Sequence, residues 1–158
     1  MSWGKSASDG GTPGSENDIA PGLRYADWLA GFFDPGQMAD PAVTDLAADV
    51  DSDGLVALVE YGLGLDPKAG AGEGRPRALL VEVGGSAFAA LEFRRQRGAA
   101  DLIYRVEVSA NLLDWDVVDV EVGAPVDTGD GTETVTVRDE AKVTDGERRY
   151  LRLVVELR

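Results

Sequence analysis

From Arg77 to the end of the chain, apolar side chains recur at every second position. A period of two is the mark of a strand with one buried and one wet face. The alternation runs through Leu79, Val81 and Val83, then Ala89, Leu91 and Phe93, then Tyr104, Val106 and Val108 with Arg105 and Glu107 between them. It continues through Val118, Val120 and Val122, through Val135 and Val137, and through Leu151, Leu153, Val155 and Leu157. Six strands are predicted, separated by turn residues at "GG" (84–85), "RGAAD" (97–101), "DTGDG" (127–131) and "TDG" (144–146). One polar face per strand indicates antiparallel sheets, because the strands of a parallel sheet are covered on both sides. The expected fold is mainly β: an antiparallel β-sandwich of about six strands over residues 77–158, preceded by two or three short helices.

The preceding sequence has a different rhythm. Residues 1–22 are rich in Gly, Ser, Pro and Asp and read as a flexible leader. Within residues 23–67, Tyr25, Trp28, Leu29, Phe32 and Phe33 fall three and four apart, one apolar stripe on a helix. Asp40-Pro41 supplies an N-cap and a first-turn proline for a short helix, "PAVTDLAA". A second helical stretch, "LVALVEYGLGL", has Gly62 and Gly64 at its fraying end and stops at Asp66-Pro67. Residues 68–76 read as a linker. The apolar face of Trp28, Phe32, Val56, Val59 and Tyr61 is predicted to pack on the sandwich.

Between the two helical stretches, "DVDSDGLVALVE" matches D-x-D-x-D-G-x5-E at every specified position. Such a concentration of like charge is unfavourable unless a cation offsets it. Calcium is hard, takes about six to eight oxygens and tolerates varied geometry, so alternating aspartates in a tight loop suit it. The spacing assigns Asp49, Asp51 and Asp53 as side-chain ligands, Leu55 as a backbone-carbonyl ligand and Glu60 as a bidentate ligand from the exit helix. Gly54 provides the positive φ that the sharp turn needs. Val56 is expected to turn into the core, and Ala57, lacking a ligating oxygen, leaves a place for water. The bland alternative is a solvated acidic turn that caps a helix.

Composition removes several chemistries. The chain has neither cysteine nor histidine, which excludes disulfides, imidazole or thiolate metal sites, and Ser-His-Asp or Cys-His catalysis. A net charge of −14 disfavours nucleic acid and anionic membranes as partners. No apolar run is long enough to span a bilayer, and the N-terminus lacks the apolar core of a signal peptide, so an exported chain of this sequence is expected to be part of a longer one.

Three further groups are candidates. Asp127, Asp130 and Glu133 read as a hairpin turn, with a second, weak cation site as the alternative. Arg94, Arg95 and Arg97 read as a charged sheet edge, with a contact to an acidic partner as the alternative. Trp115, with Tyr104, offers an aromatic surface for a sugar ring, against a structural plug at the sandwich end. Asp114 and Asp116 lie two apart on one strand with no opposing acid, so catalysis is not expected.

"DVDSDGLVALVEYGLGLDP" resembles the "DxDxDGLxxxxEYxxGxDP" segment of dockerin-like and thrombospondin type 3-like calcium repeats, which occur near the C-termini of large exported bacterial proteins. The stretches "YRVEVSANLLDW" and "RRYLRLVV" are similar to parts of the β-rich module that follows such segments. The opening "SWGKSASDGGTPGSEN", through Trp3, Gly4, Pro13, Gly14 and Asn17, resembles the end of a lamin-tail-like β-domain. Dockerins proper carry two loops and this chain has one, so cohesin-type docking is not implied. What the resemblance implies is a non-catalytic, calcium-binding accessory region of a secreted or cell-surface protein. Its partners would be the parent polypeptide or a surface polysaccharide, with no nucleic acid, no membrane insertion and a monomeric state. The alternatives are a carbohydrate- or surface-binding module and a C-terminal sorting or anchoring signal.

Overall fold

The computed structural model describes residues 23–158 apart from residue 71; the leader predicted over residues 1–22 lies outside the described residues. Three short helices come first: α1 (Tyr25–Ala30), α2 (Pro41–Thr44) and α3 (Ala57–Leu63). Eight strands follow: β1 (Arg77–Val83), β2 (Ser86–Gln96), β3 (Leu102–Ser109), β4 (Asp116–Val118), β5 (Val120–Glu121), β6 (Val126–Asp127), β7 (Thr132–Lys142) and β8 (Tyr150–Leu157). They form two antiparallel sheets. One has the order β1-β2-β7-β5, with β6 also paired to β7, and the other the order β4-β3-β8. Among the described residues, no helix is long and apolar enough to cross a membrane.

The alternation read from the sequence places the core. Leu91 and Phe93 of β2 lie opposite Val137 and Val135 of β7, and Val106 of β3 lies opposite Val118 and Leu153. These inward residues, with Val108, make a buried layer between the sheets. One predicted strand is corrected. The run through Val118, Val120 and Val122 is two strands, β4 pairing with β3 and β5 pairing with β7, divided at Asp119. Each sheet needs an edge strand there, and a chain that changes sheets supplies both.

The helical segment is not a separate body beside the sandwich. Leu63 and Leu65 join the inter-sheet core. Trp28, Leu29, Phe33, Ala57 and Tyr61 form a second buried cluster with Leu102 and Val155 of the sheet. Trp28 lies 5.5 Å from the Tyr61 ring and 5.8 Å from the Tyr25 ring, an aromatic group that closes one end of the sandwich. Within the predicted docking face, Trp28 and Tyr61 are buried as expected, and Phe32 and Val59 are half-buried against the two cores. Val56 is corrected: it is the N-cap of α3, outside both cores, and Ala57 takes the buried place at 1 % exposure.

Gly62 lies in the last turn of α3, as expected, and a Cβ there would stand 2.8 Å from Val155 Cγ1. Only glycine lets the helix lie this close to β8. Gly64 then ends α3 with φ 70°, the left-handed cap that glycine favours. The predicted "PAVTDLAA" helix stops after Thr44 because the Asp45 carboxylate accepts from Ala47 N–H at 2.8 Å and draws the backbone into a turn.

Candidate metal centre

The loop after α2 is organised by its own carboxylates. Asp49 accepts from the backbone N–H of Asp53 at 3.1 Å and of Gly54 at 3.0 Å. Asp51 accepts from Asp53 N–H at 3.2 Å, and Asp53 from Leu55 N–H at 2.8 Å. Ser52 and Gly54 both take positive φ, 58° and 92°, so the chain curls inward twice in three residues. The base of the loop is closed by Ala57 N–H to the Ala48 carbonyl at 2.7 Å and Leu58 N–H to the Leu46 carbonyl at 3.0 Å. Oxygens of Asp49, Asp51 and Asp53 all lie within 4.8 Å of one another.

Glu60 stands outside that group, one turn into α3, and is 1 % exposed. Neither of its carboxylate oxygens has a hydrogen-bond partner, and Oδ2 of Asp51 is likewise buried and unpartnered. Among the described residues, no arginine or lysine pairs with Asp49, Asp51 or Glu60. Burial first, then the charges of Asp51, Asp53 and Asp49, push the Glu60 carboxyl up to about 8. Burial, with the charges of Asp53 and Asp49, also raises Asp51 above the ordinary carboxylate range, against a backbone hydrogen bond that lowers it. A buried acceptor without a donor costs about 1–3 kcal/mol, more if ionised. A hard dication among these oxygens would offset that cost, and an all-oxygen donor set suits calcium. Asp49, Asp51, Asp53 and Glu60 are the side chains that would hold it. Leu55 leans its side chain on the inter-sheet core and so anchors the loop to the sandwich.

Two features here leave no local signal in the sequence. Arg75, inside the predicted linker, donates to the backbone carbonyl of Asp53. Asp101, at the mouth of β3, accepts from Tyr61 Oη at 2.6 Å and from Tyr25 N–H at 3.0 Å. It ties α1 and α3 to the sheet across 40 residues of sequence.

Asp127, Asp130 and Glu133 lie in the β6–β7 hairpin, each beside an arginine. Arg97 pairs with Asp127 at 2.6 Å, Arg94 with Asp130 at 2.8 Å, and Arg95 with Glu133 at 2.7 Å. Hydrogen bonds from Thr128 and Thr132, reinforced by Arg94, hold the Asp130 carboxyl well below the usual carboxylate range. The two charge clusters therefore neutralise each other across the β2–β7 pair. β1 pairs with β2 only as far as Glu92, so Arg94 and Arg95 lie on a stretch of β2 with no partner strand on that side among the described residues, and Arg97 follows its end, as the charged-edge reading expects.

Trp115 is half-buried just before β4, and the guanidinium of Arg152 covers its ring at 4.0 Å. The ring is thereby tied to β8, in keeping with a structural place at the sandwich end. Tyr104 donates to the Gly62 carbonyl at 2.7 Å and accepts from Gln96 N–H at 3.0 Å. Burial pushes its phenol up to about 12; it is a strut between α3 and the sheets. Asp114 and Asp116 are exposed, and Asp114 accepts from Asn111 at 2.9 Å. Comparison with protein-family models, curated proteins and solved structures finds no match to this chain.

Proposed function

We propose that the chain is a non-catalytic calcium-binding accessory module of a larger secreted or cell-surface protein. One Ca²⁺ binds among Asp49, Asp51, Asp53 and Glu60 and fixes the helical segment on the sandwich. The observation that carries this reading is Glu60, a fully buried carboxylate with both oxygens unpartnered beside three loop aspartates. An acidic turn needs no such residue, because its charges prefer water. The consecutive residue Tyr61 is 0 % exposed in the aromatic cluster, so α3 faces the loop with one side chain and the sandwich with the next. A cation that orders Glu60 thereby orders the docking of α3. The longer, exported parent is supported by the sequence resemblance.

Extracellular loops of this kind bind with Kd of about 10⁻⁴ to 10⁻³ M. At about 1 mM calcium, linkage then adds roughly 0.4–1.4 kcal/mol to stability. The test is thermal unfolding with 1–10 mM Ca²⁺ (about that range) and with chelator. The expected result is a calcium-dependent rise in Tm that Asp49→Ala and Glu60→Ala abolish. Identical melts in both conditions would refute the proposal.

A further inference from the structure

We propose that the cleft between the 72–76 segment and the outer face of the five-stranded sheet binds a hydroxylated carboxylate of the sugar-acid class, held by Arg75, Arg77 and Arg94. The cleft has a volume of about 570 Å³, within the usual range of small-molecule sites, about 300–1,000 Å³. Arg77 and Glu92 face each other on its floor, as do Arg94 and Thr134; their strand neighbours Leu91 and Phe93 are buried in the inter-sheet core. Arg75, Pro76 and the glycines 72 and 74 form the opposite wall.

The described lining of the cleft is richer in arginine than the chain as a whole. The protein carries a net −14, yet among the described lining residues three arginines stand with one glutamate. Each guanidinium is only partly used. Arg77 reaches Glu92 at 2.5 Å with its side chain 69 % exposed. Arg94 reaches Asp130 at 2.8 Å, and Arg75 reaches the Asp53 carbonyl. A guanidinium has about five N–H donors in a planar fork, so donors remain on all three. The Nε of Arg94 is buried without an acceptor, so that side chain gains a hydrogen bond by turning toward an anion. Exposed ion pairs cost little to rearrange, on the order of 1 kcal/mol or less.

The rest of the lining selects among anions. The Glu92 carboxylate repels a second negative charge but accepts hydrogen bonds from hydroxyls. The Thr134 hydroxyl and the bare backbone at Gly72 and Gly74 add further polar partners. Among the described lining residues Pro76 is the apolar side chain, Phe93 being turned into the core, which is too little to hold a fatty acid. A monocarboxylate with several hydroxyls meets every one of these groups. None of Asp49, Asp51, Asp53 or Glu60 is among the described lining residues, and Arg75 touches the acidic loop at the Asp53 carbonyl.

The test is an amide ¹H–¹⁵N NMR titration of the full chain with D-glucuronate, in buffer stripped of calcium by resin because chelators are themselves carboxylates. Saturable shifts are expected at residues 72–77, 92–94 and 134, with none for D-glucose at equal concentration. Arg75→Gln and Arg77→Gln, both at exposed positions, should each weaken binding about tenfold or more, the worth of a charge-assisted hydrogen bond. Trp115→Ala should leave it unchanged. An absence of saturable shifts, equal shifts with glucose, or undiminished affinity in both arginine variants would overturn the proposal.

Discussion

Replacing Glu60 by glutamine keeps the side chain's shape and removes its charge, which separates the metal from the packing. In calcium-free protein the folded state holds the Glu60 proton up to about 8, whereas an unfolded glutamate releases it near 4.5. The sign follows directly. A carboxyl whose affinity for protons is raised by folding favours the folded state fully below pH 4.5, and that contribution is lost as pH rises through about 8. At about 1.4 kcal/mol per tenfold change in proton affinity, the loss is capped at about 5 kcal/mol. Reorientation of the exposed Asp49 and entry of water reduce it to about 2–4 kcal/mol. Glu60→Gln removes this slope. In chelator the variant should therefore match wild type at pH 5, roughly the acid end of this window, and exceed it near pH 8.5 by about 2–4 kcal/mol. In millimolar calcium the gap at pH 8.5 should narrow, because only wild type gains from the ion. The assay is urea unfolding at the two pH values, with and without Ca²⁺. Calcium-free wild type that keeps its stability from pH 5 to pH 8.5, or Glu60→Gln that is the weaker of the two in chelator at the higher pH, would refute the reasoning.

Three further outcomes follow from the packing and the ion pairs. Gly62→Ala places a Cβ 2.8 Å from Val155 Cγ1 and should cost about 1–3 kcal/mol in denaturant unfolding, from overpacking alone. Tyr61→Phe leaves Asp101 without its 2.6 Å partner; a loss of about 1–3 kcal/mol is expected, with the calcium-induced Tm shift retained. Asp130→Asn and Glu133→Gln break pairs with Arg94 and Arg95 and should leave the calcium titration unchanged, since those acids are already matched by arginines.

The legible parts of this fold are those where one local pattern decides the outcome. Alternation placed Leu91, Phe93, Val106, Val135 and Val137 in the inter-sheet core, where they are found. Pairing partners were not local. The division of the 116–121 stretch at Asp119 depends on which sheet lacks an edge, and nothing in the alternation of Val118 and Val120 records that. The acidic loop was legible because its residues are contiguous and their spacing is chemical. The fate of Asp127, Asp130 and Glu133 was not, because their partners Arg94, Arg95 and Arg97 are brought to them only by the pairing of both β2 and β6 with β7. Asp45 defeated the longer helix by a side-chain hydrogen bond that propensity reading does not weigh. The ties through Asp101 and Arg75 join residues 22 or more positions apart and depend wholly on the tertiary fold.

The most direct test of the central claim is a calorimetric titration of Ca²⁺ into wild type at pH 6.5, about 1.5 below the Glu60 value, in two buffers of different ionisation heat. A carboxylate that must give up its proton to receive the ion makes binding heat depend on the buffer. One site should be seen, releasing close to about one proton per ion at that pH and close to none above about pH 9.5. No binding heat at millimolar Ca²⁺, or binding with no proton released at either pH, would contradict the assignment of Glu60 and the loop aspartates to a calcium site.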